Sequence, residues 1–180
     1  MDRRRFLLAA GGLALGGCST PGIELDVPYV STPHAVVDAM LELARVGPTD
    51  VVYDLGCGDG RFVIAAAAEF GARGVGVDID PARIAEANAA AEREGVAGRV
   101  RFVRGNLFDV DLSPATVVTL FLLPELNDRL APKLRRELRA GARIVSHRWT
   151  IRGWPADETI VVDVGEVRHE AFLWVNRKGA

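Results

Sequence analysis

The chain is poor in metal ligands and in lysine, and it has no long apolar run. Its 180 residues contain two cysteines and three histidines. Cys18 and Cys57 belong to no CxxC or Cys/His pattern, and His34, His147 and His169 lie far apart, so no metal site is expected. Lys133 and Lys178 are the only lysines, against twenty arginines, a bias that genome composition explains. The arginines are interspersed with Asp and Glu, and the net charge is −2. Such a surface offers no basic field for phosphates, so nucleic acid is not an expected partner. The length suits one domain of ordinary size, without internal repeats or low-complexity tracts.

The longest apolar stretch, Phe6 to Leu15, is too short to span a membrane as a helix, which takes about 20 residues. It follows Arg3-Arg4-Arg5 and ends in Leu15-Gly16-Gly17-Cys18. A positive n-region, a short h-region and small residues before a cysteine have the layout of a bacterial export signal. The paired arginines resemble a twin-arginine signal. The last four residues resemble a lipobox that makes Cys18 a lipidated mature N-terminus. Residues 1–18 are therefore expected to be an address, 19–31 a tether rich in Ser, Pro and Gly, and 32–180 the folded domain. Export would place the protein at a membrane surface in the cell envelope. If the leader is a start-site artefact, the location is the cytoplasm.

Thr32-Pro33 suggests an N-cap and first-turn proline, and apolar residues recur at helical spacing from His34 to Val46. Short β-branched runs follow at 51–55, 74–79, 100–103, 115–123 and 143–146. Helical segments lie between them at 61–70, 81–93 and 125–139. Two further strands, 158–164 and 171–175, come with only a short turn between. This order predicts an α/β fold, a doubly wound and mostly parallel seven-stranded sheet closed by an antiparallel hairpin.

Asp54-Leu55-Gly56-Cys57-Gly58-Asp59-Gly60 sits between the first strand and its helix, where open α/β sheets bind ligands. Gly56 and Gly58 permit a sharp turn and a close backbone approach to a ligand. Asp78 closes the next strand, at a distance suited to a ribose diol. A dinucleotide fingerprint would place a third glycine where Arg61 stands. Asp54 and Asp59 would repel a pyrophosphate, whereas S-adenosylmethionine (SAM) brings a sulfonium, an ammonium and no phosphate. The loop chemistry therefore favours SAM.

DLGCGDG resembles motif I of the class I, seven-stranded SAM-dependent methyltransferases, and VGVDIDP resembles their next strand with its ribose-binding acid. The resemblance covers nearly all of residues 28–178. It implies that Asp54, Gly56 and Gly58 line the methionyl part of SAM and that Asp78 holds the ribose hydroxyls. Many relatives have an adenine-binding Asp after the third strand. Gly105-Asn106-Leu107 stands there in this chain, so Asn106 is the candidate for the adenine amino group. Ile79 and Leu107 are candidates to sandwich the ring, and core packing would equally explain both.

Pro28-Tyr29-Val30-Ser31-Thr32-Pro33, Phe121 to Asn127 and Gly141 to His147 resemble a narrower group. These are the mitochondrial lysine methyltransferases of the adenine nucleotide carrier and ATP synthase c-subunit, with archaeal protein lysine methyltransferases and bacterial relatives. The resemblance implies that Tyr29 and Thr32 close over the methionyl end of SAM and that Leu123, Pro124 and Glu125 border an acceptor channel. Glu125 and His147 are the candidates for accepting a proton. The implied activity is methyl transfer to a protein lysine. Two other functions fit the same loop: a small-molecule methyltransferase, and an exported, lipid-anchored SAM-binding module without turnover.

Overall fold

A computed structural model describes residues 31–177, so Cys18, Tyr29 and the expected leader lie outside the described residues. The elements run α1 (His34–Leu43), β1 (Val51–Leu55), α2 (Arg61–Ala68), β2 (Arg73–Asp78), α3 (Pro81–Arg93) and β3 (Val100–Arg104). They continue as β4 (Val117–Leu120), α4 (Pro124–Glu137), β5 (Arg143–His147), β6 (Glu158–Val164) and β7 (Val167–Val175). One sheet contains all seven strands in the order β3-β2-β1-β4-β5-β7-β6, and β7 runs antiparallel to both of its neighbours. This is the expected doubly wound sheet with its terminal hairpin.

The sheet is covered on both faces, which is why its central strands read as apolar throughout. Alternation sends Val52, Val117 and Val145 to one face, against Val36, Val37, Met40 and Leu41 of α1 and the Ala-rich α2. Tyr53, Leu55, Val118, Leu120 and Ile144 face the other side, where Leu126, Leu130 and Leu134 of α4 pack at one-turn spacing. Burying these side chains removes each from water at about 1.5–3 kcal/mol apiece, the main drive for this layering.

Three local expectations are corrected. Pro33, not Thr32, is the N-cap of α1, its carbonyl accepting from Val36 and Val37 N–H. The Thr32 hydroxyl is directed elsewhere. Strand β4 covers only Val117–Leu120, within the apolar run 115–123. Before it, Thr116 braces a turn through Asp50, and after it Phe121 to Leu123 leave the sheet. Strand β7 begins at Val167, four residues earlier than expected, because β6 pairs along its whole length. By contrast, Asp80 caps α3 as the sequence suggests, accepting from Ala82 N–H at 2.8 Å.

Candidate active site

The strand order reverses between β1 and β4, which opens a crevice at the carboxyl edge of the sheet. A cavity of about 330 Å³ fills it, in the range of small-molecule sites. The sequence-predicted residues Thr32, Asp54, Gly56, Gly58, Asp78, Ile79, Asn106, Leu107 and Leu123 all line this cavity. Pro124, Glu125 and His147 do not.

The glycine loop is tightly folded on itself. Gly56, Gly58 and Gly60 have φ values of +86°, +51° and +81°, a region that side chains disfavour. Gly56 and Cys57 N–H donate to the Val77 carbonyl at 2.8 and 3.0 Å, and Gly60 N–H to the Cys57 carbonyl at 2.8 Å. Gly58 N–H donates to Asp78 Oδ2 at 2.9 Å, and Asp80 N–H to Asp78 Oδ1 at 3.0 Å. The amides that would cradle a phosphate are thus already committed, one of them to a carboxylate.

The electrostatics point the same way. Asp54 is 4% exposed, and burial pushes its carboxyl up to about 7, reinforced by the negative charges of Asp78 and Asp59. The Thr119 hydroxyl, donating to Oδ1 at 2.7 Å, and Arg61 act in the opposite direction. Arg61, standing where a dinucleotide loop has glycine, grips Asp59 through Nε at 2.9 Å and also donates to the Thr32 carbonyl. It thereby ties the segment entering α1 to the loop. Asp54, Asp59, Asp78 and Asp80 line the cavity, with Asp59 paired to Arg61. These carboxylates beside committed amides suit a cationic ligand better than a phosphate, so the residues present fit SAM.

On the β2–β3 side, Ile79 lines the cavity and is 41% exposed. Asn106 Oδ1 already accepts from Phe108 N–H at 3.0 Å, leaving one lone pair and the Nδ2 group. Phe108, which also lines the cavity, has the Arg129 guanidinium over its ring at 4.5 Å. On the β4–β5 side the lining is Phe121, Leu122, Leu123, Leu126, Arg148 and Trp149. Arg148 holds a left-handed φ of 66°, fixed by its N–H donating to the Glu170 carbonyl at 2.7 Å.

Sequence reasoning missed Phe108, Arg148 and Trp149. The aromatic residues carried a usable signal, since each stands just past the carboxyl end of a parallel strand. It also left His147 without its surroundings. That ring is 1% exposed, and burial, then His169 and Arg148, lower it to about 4.

Residues 54–158 match the family described as the ANTKMT methyltransferase domain. The chain is 53% identical over 150 residues to a protein-lysine N-methyltransferase of Saccharolobus islandicus, covering 83% of this chain and 93% of that protein. It is 38% identical over 133 residues to the adenine nucleotide translocase lysine N-methyltransferase of Mus musculus, covering 73% of this chain and 57% of that one. A Salinibacter ruber structure described as an RNA methyltransferase in complex with S-adenosyl-L-homocysteine (SAH) superposes with a TM-score of 0.79 at 47% identity, covering 84% and 96% of the two chains. With the sheet order and the carboxylate-ringed loop, these matches place the chain in the ANTKMT methyltransferase domain family of class I, SAM-dependent methyltransferases.

Proposed function

We propose that the protein methylates the side-chain amine of lysine in a protein acceptor. The observation that carries this reading is the 53% identity across 93% of an archaeal protein-lysine N-methyltransferase. The acceptor side of the cavity supports it. Among the described residues, Phe121, Leu122, Leu123, Leu126 and Trp149 make an apolar slot there, with the Arg148 cation beside it.

Bound SAM supplies an activated methyl group on a positively charged sulfur. Asp54 and Asp78, with the Gly56–Gly58 turn, hold and orient that cofactor. The acceptor must shed a proton, which at pH 7 costs about 4–5 kcal/mol for an ordinary lysine. Leu123, Trp149 and Arg148 are exposed, so the apolar slot disfavours the ammonium and lowers that cost once the acceptor itself covers it. Glu125 lies off the cavity and His147 is sealed beneath Phe121, so burial, not a side-chain base, drives deprotonation in this reading. The remaining contribution is alignment and the exclusion of water.

The test is transfer of radiolabelled methyl from SAM by the purified protein to a cell extract, followed by hydrolysis. Label recovered as ε-methyl-lysine supports the reading, and its absence from protein sinks it. RNA is the second acceptor to assay, because the 47% identical Salinibacter relative is described as an RNA methyltransferase. The net charge of −2 and the carboxylate-ringed loop weigh against it.

Residues 1–18 are proposed to be an export and lipid-attachment signal. The support is the order of Arg3-Arg4-Arg5, an apolar run and Leu15-Gly16-Gly17-Cys18. Mass spectrometry of protein from the native cell should find a lipidated Cys18 at the N-terminus. An unprocessed Met1 would refute it.

A further inference from the structure

Behind the cavity wall, side chains from three distant segments form one hydrogen-bonded chain. His147, ending β5, meets Thr32 Oγ1 at 3.2 Å through Nδ1 and His169 Nδ1 at 2.9 Å through Nε2. All three are buried. Phe121 lies against the His147 ring with centroids 4.2 Å apart. Thr32 and Phe121 line the cavity, whereas His147 and His169 do not. Two parts of the wall therefore rest on one imidazole.

Donor counting restricts how this chain is protonated. Neutral His147 has a single N–H. If Nε2 carries it, that group donates to His169, and Nδ1 accepts from the Thr32 hydroxyl. If Nδ1 carries it, that group donates to Thr32, and Nε2 accepts from His169. Both arrangements satisfy every partner, but they differ at the wall. The first spends the Thr32 proton inward and leaves lone pairs for an ammonium. The second leaves the hydroxyl proton available to a carboxylate. The charged and titratable groups acting on His147 are His169 from β7 and Arg148 from its own strand exit, and with burial they keep the ring neutral at neutral pH.

We propose that His147 is a positioning residue for the cofactor, coupling His169 to Thr32 through its two ring nitrogens while its face supports Phe121. The inference rests on the cofactor cavity and not on the acceptor. A protein that binds SAH but never methylates lysine would sink the preceding proposal and leave this one standing.

The test is calorimetric titration of SAH into the full-length protein and its Thr32→Val, His147→Gln and double variants. Thr32→Val keeps the shape and removes the hydroxyl. Each single variant is expected to bind SAH about tenfold more weakly, the scale of one hydrogen bond to a well-packed site. The double variant should lose no more than either single one, because both break the same link. Single variants within twofold of the parent, or losses that multiply in the double, would overturn the proposal. Because His147→Gln removes a buried ring and threatens folding, the parent protein is also read by 15N NMR of its imidazoles. SAH should move the His147 ring nitrogens, and shifts unchanged at full occupancy would count equally against the proposal.

Discussion

The Thr119 hydroxyl donates to Asp54 Oδ1 at 2.7 Å, across the parallel pair β1–β4 in which these two residues are register partners. This one bond satisfies part of a carboxyl that burial has pushed up to about 7. The folded value lies above the unfolded value near 3.8, so the group favours folding in acid and that benefit is lost as pH rises through about 7. Cofactor-free protein should therefore lose up to about 4 kcal/mol between pH 4 and 8 from this residue. Asp54→Asn keeps an acceptor for Thr119 and should flatten the slope, raising the urea midpoint at pH 8. A midpoint that drops by the same amount at pH 5 and pH 8 contradicts this account.

The same carboxyl sets the pH dependence of cofactor binding. A cation in the cavity favours ionised Asp54, so below about pH 7 binding must first remove a proton. SAM affinity should rise by up to about tenfold per pH unit toward 7 and level off above it. Asp54→Asn should bind weakly with a flat profile. Titration calorimetry from pH 5.5 to 8.5 decides the matter, and a level curve for the parent protein would remove Asp54 from the site.

Asp78 shapes the loop by accepting from Gly58 and Asp80 N–H, and it is the residue we propose for the ribose contact. Asp78→Ala should weaken SAM binding by about 1–3 kcal/mol, the loss of hydrogen bonds to a charged group. It also strands the Gly58 and Asp80 N–H groups, so thermal stability should fall with it. Asp78→Asn retains one acceptor and should lie between. Unchanged calorimetric affinity in the Ala variant would exclude the ribose contact.

The loop is fitted onto a ring from β3. A Cβ at Gly60 would stand 2.5 Å from Phe102 Cε1, and one at Gly76 would stand 2.6 Å from Phe102 Cδ1. Gly60→Ala should cost about 2–4 kcal/mol, combining overpacking with a left-handed backbone. Adding Phe102→Leu should recover part of the overpacking, since a Cβ at Gly60 would also stand 2.9 Å from Ala87 Cβ. Chemical denaturation of Gly60→Ala, Phe102→Leu and the double variant checks this, and losses that simply add in the double would mean the ring is not the obstacle.

Much of this architecture is legible in the chain because local chemistry and tertiary role agree. Val51–Leu55, Pro81–Arg93 and Glu158–Val164 occupy the spans that their spacing and flanking residues indicate. The residues 121–123 misled because an apolar run looks alike whether it continues a buried strand or turns out to wall a pocket. Arg168 and Glu170 masked the start of β7, since a two-stranded edge hairpin exposes every other side chain. Within the site, the glycines and Asp78 announce themselves through spacing. The Thr32–His147 contact does not, because 115 residues separate its partners and no periodic pattern links them. Arg148 was hidden for another reason: an arginine among twenty carries no signal until its strand exit is seen.

The ring of Asp54, Asp59 and Asp78 also bears on how the site empties. Once the methyl group has left, the departing nucleoside has one positive charge fewer than the one that arrived, and Asp54, raised to about 7, is free to take back its proton. The attraction of these acids is thus expected to be weaker for the spent molecule than for a fresh one.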